Sequence, residues 1–415
     1  MRRVALAVVL VGLQLQRAAA QPEPTPSEPP PAEPVLKASS DDIDLSTLGL
    51  EPGGSSFDDK LNIYGFADFS WYWQHWGHDN HLVKQNTRTF AIGNLNIYLA
   101  KNLTAKARTL AELRFTMLPN GSQNADGSYV DTTAQDLTNF YRLTQWGGIV
   151  IERAYVEYDV TDYLTIRAGH WLTPYGIWNI DHGSPAILGT GRPYIIGEQF
   201  FPEHQTGLDL FGKHYVRGFK VDYHVTASNG RGATESQQDQ DTELALGGRL
   251  EIETPWGLKL GGSYYRGRYT GLPTTGAPAQ TYHEAASGFD AQYDRGPLHL
   301  QLEVNARERH YDEGARALSA TGFVPDGRDF GAYLLAAYRF DQLWNVTPFA
   351  YGEHYRPADH GYFIGVDTQN LGLNFRPAPA LVFKLQMTRA RFVDGPQALA
   401  GQVLYNTSAQ AAWVF

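Results

Sequence analysis

The 415-residue chain has no cysteine. Disulfide frameworks, thiolate metal sites, iron–sulfur clusters and cysteine nucleophiles are therefore excluded. It has no run of 18 or more apolar residues, so no segment reads as a membrane-spanning helix. Beyond about residue 60, no stretch keeps a 3.6-residue apolar period. P-loop, dinucleotide, HExxH and GxSxG motifs are also missing, which leaves no standard catalytic constellation. Basic residues are the scarcer sign, 34 against 44 acidic, and the net charge of -10 excludes a general nucleic-acid binder. Disorder is excluded by the 13% aromatic content.

The scattered chemical groups do not assemble into a site. Asp181-His182-Gly183-Ser184 sets a hydroxyl near an imidazole, but residues i and i+2 on a Pro-bounded loop do not make a nucleophile–base pair. His75, His78 and His81 lack a fourth ligand. Asp239, Asp241 and Glu243 lack the turn glycine and distal glutamate of a calcium loop. The expectation is no catalysis, no metal and no cofactor.

Residues 1–20 combine Arg2 and Arg3, an apolar run from Val4 and the small residues Ala18–Ala20, the order of a secretory signal peptide. Residues 21–59 carry seven prolines from Pro22 to Pro34 and then a Ser/Asp/Gly-rich stretch. That composition gives an extended periplasmic linker rather than a packed core.

From residue 60 to 415 the signal is alternation. Leu298, Leu300, Leu302, Val304 and Ala306 share one parity, while His299, Gln301, Glu303, Asn305, Arg307 and Arg309 share the other. Side chains alternate faces along a strand, so this strand has one greasy face and one ionic face. The pattern returns at 105–117, 219–228 and 244–253. Short turns are expected near 102–104, 161–162, 214–217, 254–257, 295–297, 341–342 and 377–380. Between them lie longer polar connections at about 75–88, 118–148, 172–204, 229–241, 270–284, 310–328, 356–365 and 392–402. Seven short turns alternating with eight long loops predict an all-β fold: a closed antiparallel transmembrane barrel of about sixteen strands, with short periplasmic turns and long external loops. Closure satisfies every backbone group in lipid, which an open sheet cannot do. The final strand places Trp413, Ala411, Ala409 and Tyr405 on one face and ends in Phe415, resembling the terminal strand that signals assembly in outer-membrane proteins.

About sixteen strands enclose a lumen too wide for side chains alone, which predicts an aqueous channel. Charges opposite the lipid face must point inward, because an outward charge costs roughly 2–4 kcal/mol at mid-bilayer. The expected pore lining is Asp68, Arg108, Glu112, Arg114, Arg153, Glu157, Arg167, Lys220, Asp222, Arg249, Arg307, Arg339 and Lys384, joined by Glu251 and Glu303. The 172–204 connection is rich in proline and aromatics, which suits an inward constriction carrying Tyr175, Trp178, Asp181, His182 and Arg192.

The chain resembles the phosphate-selective porin O and P family. The likeness is carried by Leu61–Phe66 opening the barrel, by Arg167–Gly176 leading into the third long loop, and by Gln205–Leu208 leaving it. The resemblance implies a homotrimeric outer-membrane barrel with loop three folded into the pore and basic residues concentrated there. Here that loop has no lysine, and Arg192 is its one fixed positive charge. The expected function is passive diffusion of ions and small hydrophilic solutes, with an anion path that includes phosphate resting on the wall arginines. Tyr64, Phe66, Tyr155 and Tyr351 leave a sugar channel open, and the long loops leave open a non-conducting adhesin or receptor.

Overall fold

Along residues 381–387 the usual burial order is inverted: Val382, Lys384 and Gln386 are buried, while Phe383, Leu385 and Met387 are exposed. Exposed aliphatic and aromatic side chains beside a buried lysine are what a sheet needs when its outer solvent is hydrocarbon.

The computed structural model describes residues 60–77, 86–116, 148–179, 183–196, 200–231, 241–270, 281–313, 326–343, 345–358, 365–393 and 400–415. Its strands are β1 (Asn62–Trp76), β2 (Asn86–Asn102), β3 (Ala107–Thr116), β4 (Gly148–Thr161), β5 (Leu164–Leu172), β6 (His204–Val216), β7 (Phe219–Ser228) and β8 (Ala245–Glu253). They continue as β9 (Leu258–Thr270), β10 (Thr281–Arg295), β11 (Leu298–Tyr311), β12 (Gly327–Tyr338), β13 (Thr347–Arg356), β14 (Val366–Ala378), β15 (Leu381–Phe392) and β16 (Val403–Val414). Each pairs antiparallel with its sequence neighbours, and β1 pairs with β16, so the sheet closes into a sixteen-stranded barrel. The last residue takes part in closure: Gly65 N donates to Phe415 O at 2.8 Å, and Phe415 N donates to Gly65 O at 2.9 Å.

The seven short connections fall where the sequence places them, and the eight long ones alternate with them. The β6–β7 hairpin turns at Arg217 (φ 51°) and Gly218 (φ 86°), two successive left-handed residues of the kind that match strand twist. Connections 117–147 and 173–203 are equally long.

Two irregularities re-aim wall residues. The β1–β2 register slips between Ala67 and Phe69, leaving Asp68 at a bulge against Gly93 and Asn94. The β3–β4 register slips after Glu112, so that Glu152 and Arg153 are both buried despite being adjacent. A bulge adds one residue to one strand, which is how two neighbours come to share a face.

Candidate channel interior and constriction

Connection 173–203 meets side chains of β7, β9, β11 and β13 through β16. A segment can reach so much of the circumference of a closed barrel only from within. At its start, Tyr175 Oη is 2.7 Å from Thr226 Oγ1. Gly176 N donates to Ser263 Oγ at 3.2 Å, and Ile177 N donates to Glu303 Oε2 at 3.4 Å. Further along, Ile195 N donates to Glu353 Oε2 at 3.3 Å. Wall carboxylates thus receive loop N–H groups.

Wall cations and amides receive the loop carbonyls. Lys384 Nζ donates to Ser184 O and, at 2.8 Å, to Gly189 O. Arg376 donates to Pro185 O, and Asn374 Nδ2 to Leu188 O at 3.1 Å. Thr190 N donates to Gln386 Oε1 at 2.9 Å, and the Thr190 hydroxyl lies 2.7 Å from that of Ser408. Arg231, beyond β7, donates to Phe200 O at 3.1 Å while pairing with Glu284. Between these polar anchors Tyr175, Trp178, Ile195, Phe200 and Phe201 pack on inward residues such as Tyr265, Tyr333 and Tyr355. Buried backbone groups must find partners, so polar wall positions opposite a backbone segment are part of what fixes its path.

On the other side of the lumen, inward charges neutralise one another across adjacent strands. Arg108 binds Glu157 at 2.5 Å and Asp159 at 2.9 Å; Glu157 binds Arg167 at 2.7 Å; Arg167 binds Asp209 at 3.2 Å; and Asp209 meets His224 at 3.1 Å. This chain crosses β3 to β7. Arg167, at 0% exposure, lies between the rings of Tyr155 and Phe211, 4.7 and 4.6 Å from their centroids. A second set joins Asn96, Glu112 and Arg153, with both contacts at 2.6 Å. A third joins Arg114, Glu152 and His204 at 3.0 and 2.8 Å. Beyond β7, Arg249 binds Asp290 at 2.5 Å and Glu251 at 2.7 Å, and Arg307 binds Asp329 at 2.8 Å.

The residues expected to line the pore therefore divide. Asp68, Glu112, Arg153, Glu157, Arg167, Arg249, Arg307 and Lys384 face inward but are buried under the loop or in ion pairs, so they do not present open charge to solvent. Arg108, Arg114, Lys220 and Asp222 are inward and partly accessible. Arg339 lies in the β12–β13 turn, exposed and bound to Asp341 at 2.5 Å, outside the wall. Asp68 holds the β2 bulge opposite it by accepting from Asn94 N and Asn94 Nδ2, each at 3.0 Å. Phe66, Tyr155 and Tyr351 point inward but are buried, and Tyr64 stacks on Tyr98 at 4.9 Å.

Of the expected constriction residues, Tyr175 and Trp178 are buried anchors. Arg192 is held bidentately by Glu203, at 2.5 and 3.0 Å. Asp181 and His182 lie outside the described residues, as do His78, His81 and Asp239. Alternation could flag Asp209, Glu284, Asp290 and Asp329 as inward, but only the register shows which arginine each one meets. Glu152 carried no such signal, since the parity rule sends it outward.

Two cavities open towards the short-turn end. One of about 200 Å³ is floored by Gly176 and Ile177 and walled by Lys213, Lys220, Asp222 and Glu251. The other, about 860 Å³, reaches the β8–β9 and β10–β11 turns. Among the described residues, no group of three or more His, Cys, Asp or Glu side chains converges as a metal site.

No family model matches the chain. An uncharacterized protein of Aquifex aeolicus (strain VF5) is 23% identical over 281 residues, which is 60% of this chain and 63% of that relative's length. Among solved structures, the chain is similar to an anion-selective porin from Comamonas acidovorans, with TM-score 0.54, 11% identity, 86% of this chain and 99% of that one. It is similar to in-vitro folded OmpT of Vibrio cholerae in its trimer form, with TM-score 0.53, 9% identity, and 86% and 99% coverage. It is also similar to OmpF of Salmonella typhi in complex with daunomycin, with TM-score 0.52, 13% identity, and 86% and 98% coverage. At such identities the likeness is one of fold.

Proposed function

We propose that this protein is an outer-membrane channel passing ions and small hydrophilic solutes by passive diffusion. The observation that carries this reading is the inverted barrel, apolar outside and ionic inside, with connection 173–203 folded into its lumen. The solved barrels of like fold include a porin and outer-membrane proteins, which supports the location. Diffusion follows the wall left uncovered by that connection and leaves through the vestibule bordered by Lys213, Lys220 and Asp222.

Selectivity in this reading is weak. Arg108, Arg153, Arg167, Arg249 and Arg307 each contact a carboxylate, and Arg192 is bound by Glu203, so the fixed field that a phosphate or other anion path needs is largely neutralised. A sugar path has less support, since Phe66, Tyr155 and Tyr351 are buried and Tyr64 stacks on Tyr98. Residues 1–20 and 21–59 lie outside the described residues, and we read them as export signal and periplasmic linker. A homotrimer fits the trimer form of the Vibrio barrel. Recognition of the Phe415 end by the outer-membrane assembly machinery fits its place at the closing seam.

The test is the zero-current potential of the purified protein in a planar bilayer under a salt gradient. Ohmic conductance with a small potential is expected. A strongly anion-selective potential would overturn weak selectivity and revive the phosphate path, while absence of conductance would point to an adhesin or receptor.

A further inference from the structure

The outward face of the barrel is apolar until it nears the long-loop rim, where arginines begin. On β15 the outward series runs Leu381, Phe383, Leu385, Met387 and then Arg389 and Arg391. At about 3.3 Å per residue the apolar part spans roughly 20 Å along the strand before the first arginine. On β2 the outward residues Ile92 and Phe90 give way to Arg88 in the same way.

These strands are brought together by closure. Between β15 and β2 lie β16 and β1, and the register sets Arg389 opposite Tyr405, Tyr405 opposite His75, and Trp73 opposite Arg88. His75 stacks on Tyr405 at 5.0 Å, and the Arg88 guanidinium lies 5.0 Å from the centre of the Trp73 ring. An aromatic floor is thus flanked by arginines on both sides. The His75 Nδ1 atom is buried without a hydrogen-bond partner among the described residues.

Among the described residues these arginines have no carboxylate of their own. The outward carboxylate opposite Arg391 is Asp367, which is already taken by Arg356 at two contacts of 3.0 Å and by His354 at 2.9 Å. Elsewhere on the outward rim, Arg328 faces Glu308 at 3.8 Å and Arg268 binds Asp312 at 2.7 Å. Arg88, Arg389 and Arg391 make no ion pair among the described residues.

From this we infer that the β15–β16–β1–β2 rim is a binding site for the phosphorylated headgroup of a membrane lipid in the leaflet on the long-loop side, with Arg88, Arg389 and Arg391 as anion donors and Trp73, His75 and Tyr405 as the floor. Guanidinium forks match phosphate oxygens bidentately, and aromatic rings sit at the headgroup level with one end wet and the other apolar. The inference rests on the outer-membrane reading.

The test uses the full chain in mild detergent, with bisphosphorylated lipid A as the probe and its dephosphorylated form as the control, and native mass spectrometry as the readout. Wild type should bind the phosphorylated lipid at least tenfold more tightly than the dephosphorylated one. R88Q/R389Q/R391Q should lose that preference, and R88K/R389K/R391K should keep part of it. R266Q, on β9 away from the floor, should behave as wild type. Bilayer conductance is measured for every variant, so a chain that conducts normally without lipid preference overturns this site alone, whereas a wild type that never conducts overturns the channel. Equal binding of both lipids, displacement by millimolar inorganic phosphate, or a change in oligomeric state without loss of lipid each overturns the assignment.

Discussion

Lys384 Nζ stands 2.8 Å from the carbonyl oxygen of Gly189, a contact between β15 and a segment 195 residues earlier in the chain. The ammonium also donates to Ser184 O, so one wall lysine holds both ends of a short turn of the inward connection. An ammonium has three donors and no acceptor, which suits it to carbonyls rather than to N–H groups.

Lys384→Met keeps the bulk and removes the donors. Two buried carbonyls then lose a partner, at a cost of about 1–3 kcal/mol each. We expect the connection to detach locally and single-channel conductance to rise with added open-channel noise, while the barrel still assembles. Recordings indistinguishable from wild type would show that this contact does not hold the constriction.

Arg192→Ala frees the carboxylate of Glu203 at the end of the connection, where both charges now cancel. The zero-current potential should move towards cations. No shift would place this pair outside the conduction path.

Gly93 has no room for a side chain, since a Cβ there would lie 1.7 Å from Asp68 Oδ1. Gly93→Val should therefore expel Asp68 from its place against the β2 bulge and lower the yield of folded barrel, read as heat-modifiable migration on a gel. Full yield would mean that the bulge relaxes without cost.

The Thr190 and Ser408 hydroxyls are 2.7 Å apart in a chain free of cysteine. T190C/S408C should form a disulfide under mild oxidation, visible as altered mobility that a reductant reverses. Conductance should stay within about 20% of wild type, because the bond fixes what is already in place. Failure to crosslink would put connection 173–203 elsewhere.

Arg167→Met removes the cation shared by Glu157 and Asp209, both fully buried. Glu157 keeps Arg108 and Asp209 keeps His224, so the loss falls below the roughly 3–5 kcal/mol of a fully uncompensated buried charge. The urea midpoint of the refolded protein should fall accordingly, and an unchanged midpoint would mean that water reaches the cluster.

How much of this was legible in the sequence differs by element. The strands around Leu298–Arg309 and 219–228 announce themselves because their period of two is local, and the short turns follow wherever Gly, Pro, Asn or Asp interrupt it. The β6–β7 turn was the faintest of the seven, since an arginine occupies a left-handed position there. Tyr175 and Trp178 stood out by residue type alone. Glu152 did not, because a bulge that turns it inward is set by its pairing with β3 and not by its own neighbours.

The sequence by itself determined the number of strands, which parity is greasy, the alternation of short and long connections, and the closing strand that ends in Phe415. All of these depend on residues close together in the chain. Only the tertiary structure decided that the wall arginines are neutralised and mostly buried, that Arg192 belongs to Glu203, and that connection 173–203 lies inside the barrel against its wall. Those outcomes rest on contacts between residues as far apart as Thr190 and Gln410, 220 positions in sequence, and such contacts exist only once closure has brought β1 and β16 together.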